Sequence, residues 1–415
     1  MRRGALVHLR RAATVIAALI AVSACAIRAP ERTAPPAALY DAAIIPGLPD
    51  ARLWGDDLTE ARRAAVARNL AEVERGRWLA LGRPPQGVTT DVLAMSGGGP
   101  DGAFAAGLLT GWTEAGDRPE FTVVTGVSVG ALIAPFAFAG PDYDPALRKI
   151  FTEFDTADVA ELRIFAALRG ALGVADTQPL RNQIRALADA ALIARVAEGH
   201  RAGRRLLILT TNIDAARPVI WNMGAIAAAG ETALFQDVML ASASIPGAFP
   251  PVSVAVTAGG ESFTEFHVDG GVTRSVFVGP PGFYEDVPRS QPYPVRRTFH
   301  VIQNNALAPD YAPVRERLTA IASRSLSTLI RNQTDGDLAR IYLAAQALGA
   351  DFRLAFVPQR FQPASTAAFD RAYMTALFEA AAQMARDGQA WLEAPPAMLG
   401  RARLQAELSR RRAGG

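Results

Sequence analysis

Residues 91–139 read DVLAMSGGGPDGAFAAGLLTGWTEAGDRPEFTVVTGVSVGALIAPFAFA. Asp91–Ser96 is a short apolar run that stops at three glycines, the pattern of a buried strand. Asp101–Glu114 follows as a helix, Phe121–Thr125 as a β-branched strand, and Ala131–Ala139 as a second helix. This βαβα rhythm predicts an α/β fold, a mainly parallel sheet with helices on its faces.

Outward from that stretch the alternation continues. Leu58–Leu81 reads as a helix closed by Pro84-Pro85. Strands are expected at Arg205–Asn212, Pro218–Asn222, Ser262–Val268, Thr298–Gln303 and Asp351–Val357. Helices are expected at Asp144–Phe154, Leu180–Glu198, Val314–Asn332, Asp335–Leu348 and Thr366–Asp387. Asp144 and Pro145 make a cap and a first-turn proline. The apolar segment Leu162–Val174 reads as a core helix, with an acyl-pocket cover or membrane contact as the alternative.

Gly126-Val127-Ser128-Val129-Gly130 is a G-x-S-x-G pattern placed between strand and helix, the context in which it marks a nucleophile. A tight strand-to-helix turn strains the serine and lifts its hydroxyl clear of the sheet. The flanking positions, Gly126 and Gly130, then have no room for a side chain. The following helix directs its positive N-terminal end towards Ser128.

Gly97, Gly98 and Gly99 sit between strand and helix, where backbone N–H groups can turn into a concavity and hold an oxyanion. The run Gly97-Gly98-Gly99-Pro100-Asp101-Gly102 also contains the G-x-G-x-x-G spacing of a dinucleotide cradle. Asp101 would put a negative charge beside a phosphate, and no lysine follows the glycines, so the oxyanion reading is preferred. Asp269 closes an apolar run and precedes Gly270-Gly271, where a partly desolvated carboxylate can serve as general base. The same Asp-Gly pair is also an ordinary turn signal. Four histidines are available: His8 near the N-terminus, His200 in a polar stretch, and His267 and His300 inside expected strands. A Ser128–Asp269 dyad is therefore expected, with a triad through His267 or His300 left open.

At these residues the chain resembles the patatin-like phospholipase family. That family carries a glycine-rich oxyanion loop, a G-x-S-x-G serine and a D-G-G or D-G-A aspartate in this order. Ala243-Ser244-Ile245-Pro246 before Phe249-Pro250-Pro251 resembles a further family segment. Over about residues 88–305 the resemblance implies a three-layer α/β/α sandwich. It implies Ser128 as nucleophile, Asp269 as base, Gly97, Gly98 and Gly99 as oxyanion hole, and a lipid or acyl-ester substrate. No metal or other cofactor is implied. Asp101 stands where the family often has Arg or Lys, which weakens the step from family to phospholipid. Thioesterase, acyltransferase or short-chain esterase chemistry on the same dyad remains an alternative, as does a catalytically silent lipid-binding envelope module.

The N-terminus reads as an export signal. Arg2, Arg3, Arg10 and Arg11 precede the apolar stretch Ala12–Val22, which is too short to span a bilayer as a helix. Val22-Ser23-Ala24-Cys25 fits a lipobox acylating Cys25, the sole cysteine, and fits an ordinary cleavage site after Ala24 as well. The first reading anchors the protein in a bacterial envelope membrane. Ala26, rather than Asp, points to the outer membrane facing the periplasm.

The chain has 43 Lys and Arg against 40 Asp and Glu, and loss of 1–24 removes four Arg and no acid, leaving 39 against 40. That near-neutral balance, without a basic stripe, argues against nucleic acid as a partner. Protein partners are not specified by the sequence. The domain plan expected is a signal peptide at 1–24, a flexible tether at 25–55 and a helical segment at 56–87. A catalytic domain at 88–305 and a helical extension at 306–415 packed on it complete the plan.

Overall fold

A computed structural model describes residues 32–57, 59–159, 161–162, 175–287, 291–308, 311, 313–359, 361 and 369–399. The expected signal peptide and Cys25 lie outside these residues, as do 163–174 and 362–368.

The elements run β1 (Arg52–Trp54), α1 (Glu60–Ala80), β2 (Val88–Met95), α2 (Gly102–Ala115), β3 (Val123–Val127), α3 (Val129–Ala139) and α4 (Asp144–Glu153). A two-residue pair follows, β4 (Glu161–Leu162) and β5 (Ala175–Asp176). Then come α5 (Gln178–Leu187), α6 (Ala190–Arg201), β6 (Arg205–Asn212), β7 (Arg217–Asn222), α7 (Met223–Ala228) and α8 (Thr232–Ser242). The chain closes with β8 (Val252–Ala258), β9 (Glu261–Asp269), β10 (Val295–Gln303), α9 (Leu318–Leu348), β11 (Asp351–Phe356) and α10 (Arg371–Arg386).

The central strands β6-β3-β2-β10-β11 are parallel throughout, and β1, β7, β8 and β9 add antiparallel pairs at one side. Both faces of the sheet are covered, giving three α/β/α layers. Along β2, Leu93 and Met95 enter one core with α2, α3 and α10, while Val92 and Ala94 enter the other with α1 and α9. A strand buried on both faces shows no polar alternation, which explains why 91–96 reads as a continuous apolar run. Among the described residues no helix is long and apolar enough to cross a membrane.

Several elements depart from the sequence reading. The expected helix 180–198 is two helices, broken where the Asp189 side chain caps α6 by accepting from the Leu192 amide at 2.9 Å. The helices expected at 314–332 and 335–348 are one, α9. β8, α7 and α8 were not anticipated. β8 alternates in burial and, among the strands described, pairs with β9 alone, at the sheet's margin.

The described part of the expected tether lies along the body. Thr264 N–H donates to Thr33 O at 2.9 Å, Ile44 bridges Thr257, and β1 pairs with β7. Too little apolar periodicity betrays such a segment, because its fixing is by backbone pairing. β11 joins β10 in parallel, so the sheet continues past 305 into the expected extension.

Candidate active site

The site is set by how two strands end against a third. β3 runs parallel to β6 and its last residue, Val127, sits opposite Leu209. β9 runs antiparallel to β6 along the same side and its last residue, Asp269, sits opposite Thr210. The two strands therefore meet end to end on β6, and the residues at that meeting are Ser128 and Asp269.

Ser128 has φ +54° and ψ −124°, a backbone conformation that costs a non-glycine residue of order 1–3 kcal/mol. Its neighbours impose that turn. A Cβ on Gly126 would lie 2.4 Å from Gly130 O, and one on Gly130 would lie 2.5 Å from Met95 O. The Ser128 amide donates to Ser242 Oγ at 3.0 Å, and that hydroxyl donates to Leu209 O at 2.7 Å. Ser242, at the end of α8, thus ties the strained turn to β6. No sequence signal marked it, since it lies far along the chain in a helix.

Asp269 is held equally firmly. Its amide donates to Ser244 O at 2.9 Å, and its Oδ1 accepts the Gly271 amide at 2.7 Å. The Ser128 hydroxyl lies near the same carboxylate and favours its charged form. Burial, with Asp269 only 5% exposed, pushes its pKa up to about 6, against the opposing pull of Ser128 and Gly271. A carboxyl so placed can take and return a proton near neutrality.

The glycine loop leaves β2 beside Ser128. Asn304 anchors it: its amide donates to Ser96 Oγ at 2.8 Å and its Nδ2 to Ser96 O at 2.9 Å. A Cβ on Gly98 would lie 2.1 Å from Asn304 O. Gly97 N–H donates to Ser275 O at 3.3 Å, whereas the amides of Gly98 and Gly99 have no acceptor among the described residues. Ser275 is itself fixed from α9, its amide donating to Asp337 Oδ2 at 2.8 Å. Asp101 is half-buried and accepts from Tyr373 Oη at 2.7 Å and Asn305 Nδ2 at 3.3 Å. It ties the loop to α10, a part of the chain outside the segment that carries the motifs.

Two cavities open at Ser128. One is almost wholly apolar, with about 920 Å³ of empty space, and runs between Leu132, Phe136, Phe151, Ile184 and Phe249. The other is larger and of mixed character, passing Gly98, Asp101, Asp269, Asn305 and Tyr373. Gly99, Ser128 and Ile245 border both.

The histidines lie elsewhere. His267 is fully buried, with Nδ1 bonded to Thr210 Oγ1 at 2.9 Å and Nε2 to Glu265 Oε2 at 3.1 Å. His300 bonds Asp91 Oδ1 at 3.0 Å and stands edge-on to Trp112 and Trp391. Neither ring bonds Ser128 or Asp269. His200 packs against Gly224, and His8 is outside the described residues.

Residues 93–280 match the family model described as patatin-like phospholipase. No curated protein matches the sequence. Among solved structures, VipD from Legionella pneumophila is 11% identical over 80% of this chain and 75% of that one, with a TM-score of 0.30. The type III effector ExoU is 14% identical over 80% and 60%, with a TM-score of 0.29. Human GIVD cytosolic phospholipase A2 is 11% identical over 75% and 55%, with a TM-score of 0.29.

Proposed function

We propose that this chain, whose residues 93–280 match the patatin-like phospholipase family model, is a lipid acyl hydrolase working through Ser128 and Asp269. The observation that carries the reading is a strained serine and a buried, high-pKa carboxylate meeting at the mouth of an apolar cavity.

Ser128 Oγ attacks the acyl carbonyl while Asp269 takes its proton on the oxygen that Gly271 does not hold. The amides of Gly98 and Gly99 receive the oxyanion; Gly97, already engaged with Ser275, shapes the loop. Collapse of the tetrahedral adduct expels the alcohol, which takes the proton back from Asp269. Water then repeats the sequence on the acyl-enzyme and releases the acid. The acyl chain occupies the apolar cavity and the alcohol part the mixed one. Burial keeps the developing charge away from bulk water, where each amide counts for more.

The localisation proposed is a lipid anchor on Cys25 in a bacterial envelope membrane. Arg32 pairs with Asp214 at 2.6 Å, just beyond the end of β6 and on the Ser128 side of the sheet. Seven residues reach at most about 25 Å, so an acylated Cys25 would hold that end close to the bilayer. Incorporation of labelled fatty acid, abolished by Cys25→Ser, is the expected outcome; label that persists in the variant rejects the anchor.

Reaction of the protein with a fluorophosphonate probe, followed by peptide mass analysis, tests the chemistry. An adduct on Ser128, absent in Ser128→Ala and much slowed in Asp269→Asn, is expected. A folded protein with no adduct, and no turnover of matched ester, thioester and phospholipid substrates, overturns the hydrolase reading in favour of a binding module.

A further inference from the structure

A second hole lies between α1 and the face of the sheet turned away from the acyl cavity, with about 1360 Å³ of empty space, part of it open to solvent. Its walls are mainly apolar, Val66 and Leu70 from α1 and Val92, Leu207, Ile220 and Phe299 from the strands, with Asp50, Asn69, Thr90 and Asn222 among the polar residues beside them. Packed interiors leave few voids larger than a water molecule, and here the helix and the sheet leave room for more than that between them.

Its border carries four arginines, and three are accounted for. Arg52 pairs with Glu265, Arg297 makes a two-pronged bond to Glu74 at 2.7 and 2.8 Å, and Arg62 lies 3.5 Å from Asp57. Arg205 differs. Its Nε donates to Asn69 Oδ1 at 3.2 Å and its Nη1 to the carbonyls of Arg204 and His200 at 3.0 and 3.4 Å. None of these acceptors is charged, and among the described residues no carboxylate lies within ion-pair distance of Arg205. Burial of this cation lowers its pKa, against the weaker opposing charge of Glu72, which makes no ion pair with it, so a half-buried charge stands without a direct counter-ion at the edge of the hole.

We propose that the hole is a binding site for a single-chain anionic amphiphile, with its carboxylate on Arg205 and its chain between α1 and the sheet. Charge complementarity chooses the head and the wall chemistry chooses the tail. A fatty acid is the member of this class that the reaction above would release; that choice of ligand rests on the hydrolase reading, whereas the site itself does not. Binding there would let released acid act on the enzyme from the opposite face of the sheet.

The test is titration calorimetry of the full chain with dodecanoate. The carrier for the measurement is Leu132→Trp, whose added ring obstructs the acyl cavity at Ser128, so catalysis plays no part. One site is expected, weakened at least tenfold by Arg205→Gln, restored in part by Arg205→Lys, and lost in Leu70→Trp, which fills the hole. Methyl dodecanoate should bind at least tenfold more weakly than the acid. Thermal unfolding of each variant must match the parent within a few degrees, and Leu70→Trp gives an independent reading if Arg205→Gln fails to fold. Binding that survives both variants, ester and acid binding alike, or no binding in Leu132→Trp overturns the proposal. Absence of Ser128 labelling in the parent protein, with dodecanoate binding intact in Leu132→Trp, would sink the hydrolase reading alone.

Discussion

The two faces of the central sheet are finished in opposite ways. On the face that carries α2, α3 and α10, helices approach backbone to backbone: a Cβ on Gly107 would lie 2.1 Å from Phe378 O, and one on Gly111 would lie 2.2 Å from Ala382 O. On the other face α1 offers Val66 and Leu70 across an open hole. The tight face adjoins the turn that holds Ser128 at φ +54°, and a strained turn persists only where its surroundings over-determine it. The loose face carries no such geometry and leaves space. Packing is thus closest behind the nucleophile turn, along α2 and α10, and slackest beneath α1, while the acyl cavity opens beside α3 on the tighter face.

The largest effect expected is on the tight side, from Asp269→Asn. Activity should fall by about 10³-fold or more, the scale on which loss of a base or positioned partner acts. Stability should move the other way. Burial raises the folded pKa of Asp269 from 3.8 to about 6, so its neutral form is the one the fold favours. The cost of carrying the charge is absent below about pH 4 and grows as pH rises through 6, to about 3 kcal/mol at one pKa unit per 1.36 kcal/mol. The Asn protein should therefore melt higher than the parent at pH 8 and alike near pH 4. The parent's kcat/KM should rise through about pH 6 and then level. Equal melting at both pH values would show that the carboxylate is not held in a charged, desolvated state.

Next in size is Gly107→Val. The side chain would meet the Phe378 carbonyl directly, and separating α2 from α10 should cost about 3 kcal/mol or more, read from chemical denaturation. Because Tyr373 on α10 bonds Asp101 in the glycine loop, activity should fall in the protein that remains folded. Ser242→Ala should be milder. It removes one hydrogen bond that fixes the Ser128 amide, and about a tenfold loss in kcat with KM little changed is expected. A loss in KM alone would mean that Ser242 shapes the cavity rather than the nucleophile turn.

How much of this was legible depended on whether a constraint was local. The Ser128 turn, the three glycines and Asp269 are each written in a few consecutive residues, because a tight turn dictates its own glycines. Their meeting was not written there; it follows from β3 and β9 ending on adjacent residues of β6, 142 positions apart in the case of Val127 and Asp269. The props were illegible for the same reason. Ser242, Asn304 and Tyr373 act through single bonds across long stretches of chain, and a serine in a helix or an asparagine after a strand looks ordinary. The pinning of 33–54 escaped notice because backbone pairing with β7 and Thr257 leaves no periodic trace. Asp101 reads as an anomaly beside a phosphate site, yet its donors Tyr373 and Asn305 give it a structural reason to be there.

The smallest effect expected probes the loose face, by Val66→Phe against Ala106→Val. Both add apolar volume to a helix that packs on the sheet. Ala106 on α2 is fully buried in the dense core, so extra methyl groups have nowhere to go and should cost about 1–3 kcal/mol. Val66 faces the hole, and a phenyl ring there gains burial without displacing a neighbour. The gain should be small, about 0.5–1 kcal/mol, since part of the added surface stays near solvent and the ring loses rotamer freedom. Denaturant midpoints of the two variants, measured against one parent, should therefore move in opposite directions. Destabilisation of similar size in both would mean that α1 closes onto the sheet in solution, and the contrast between the faces would be gone.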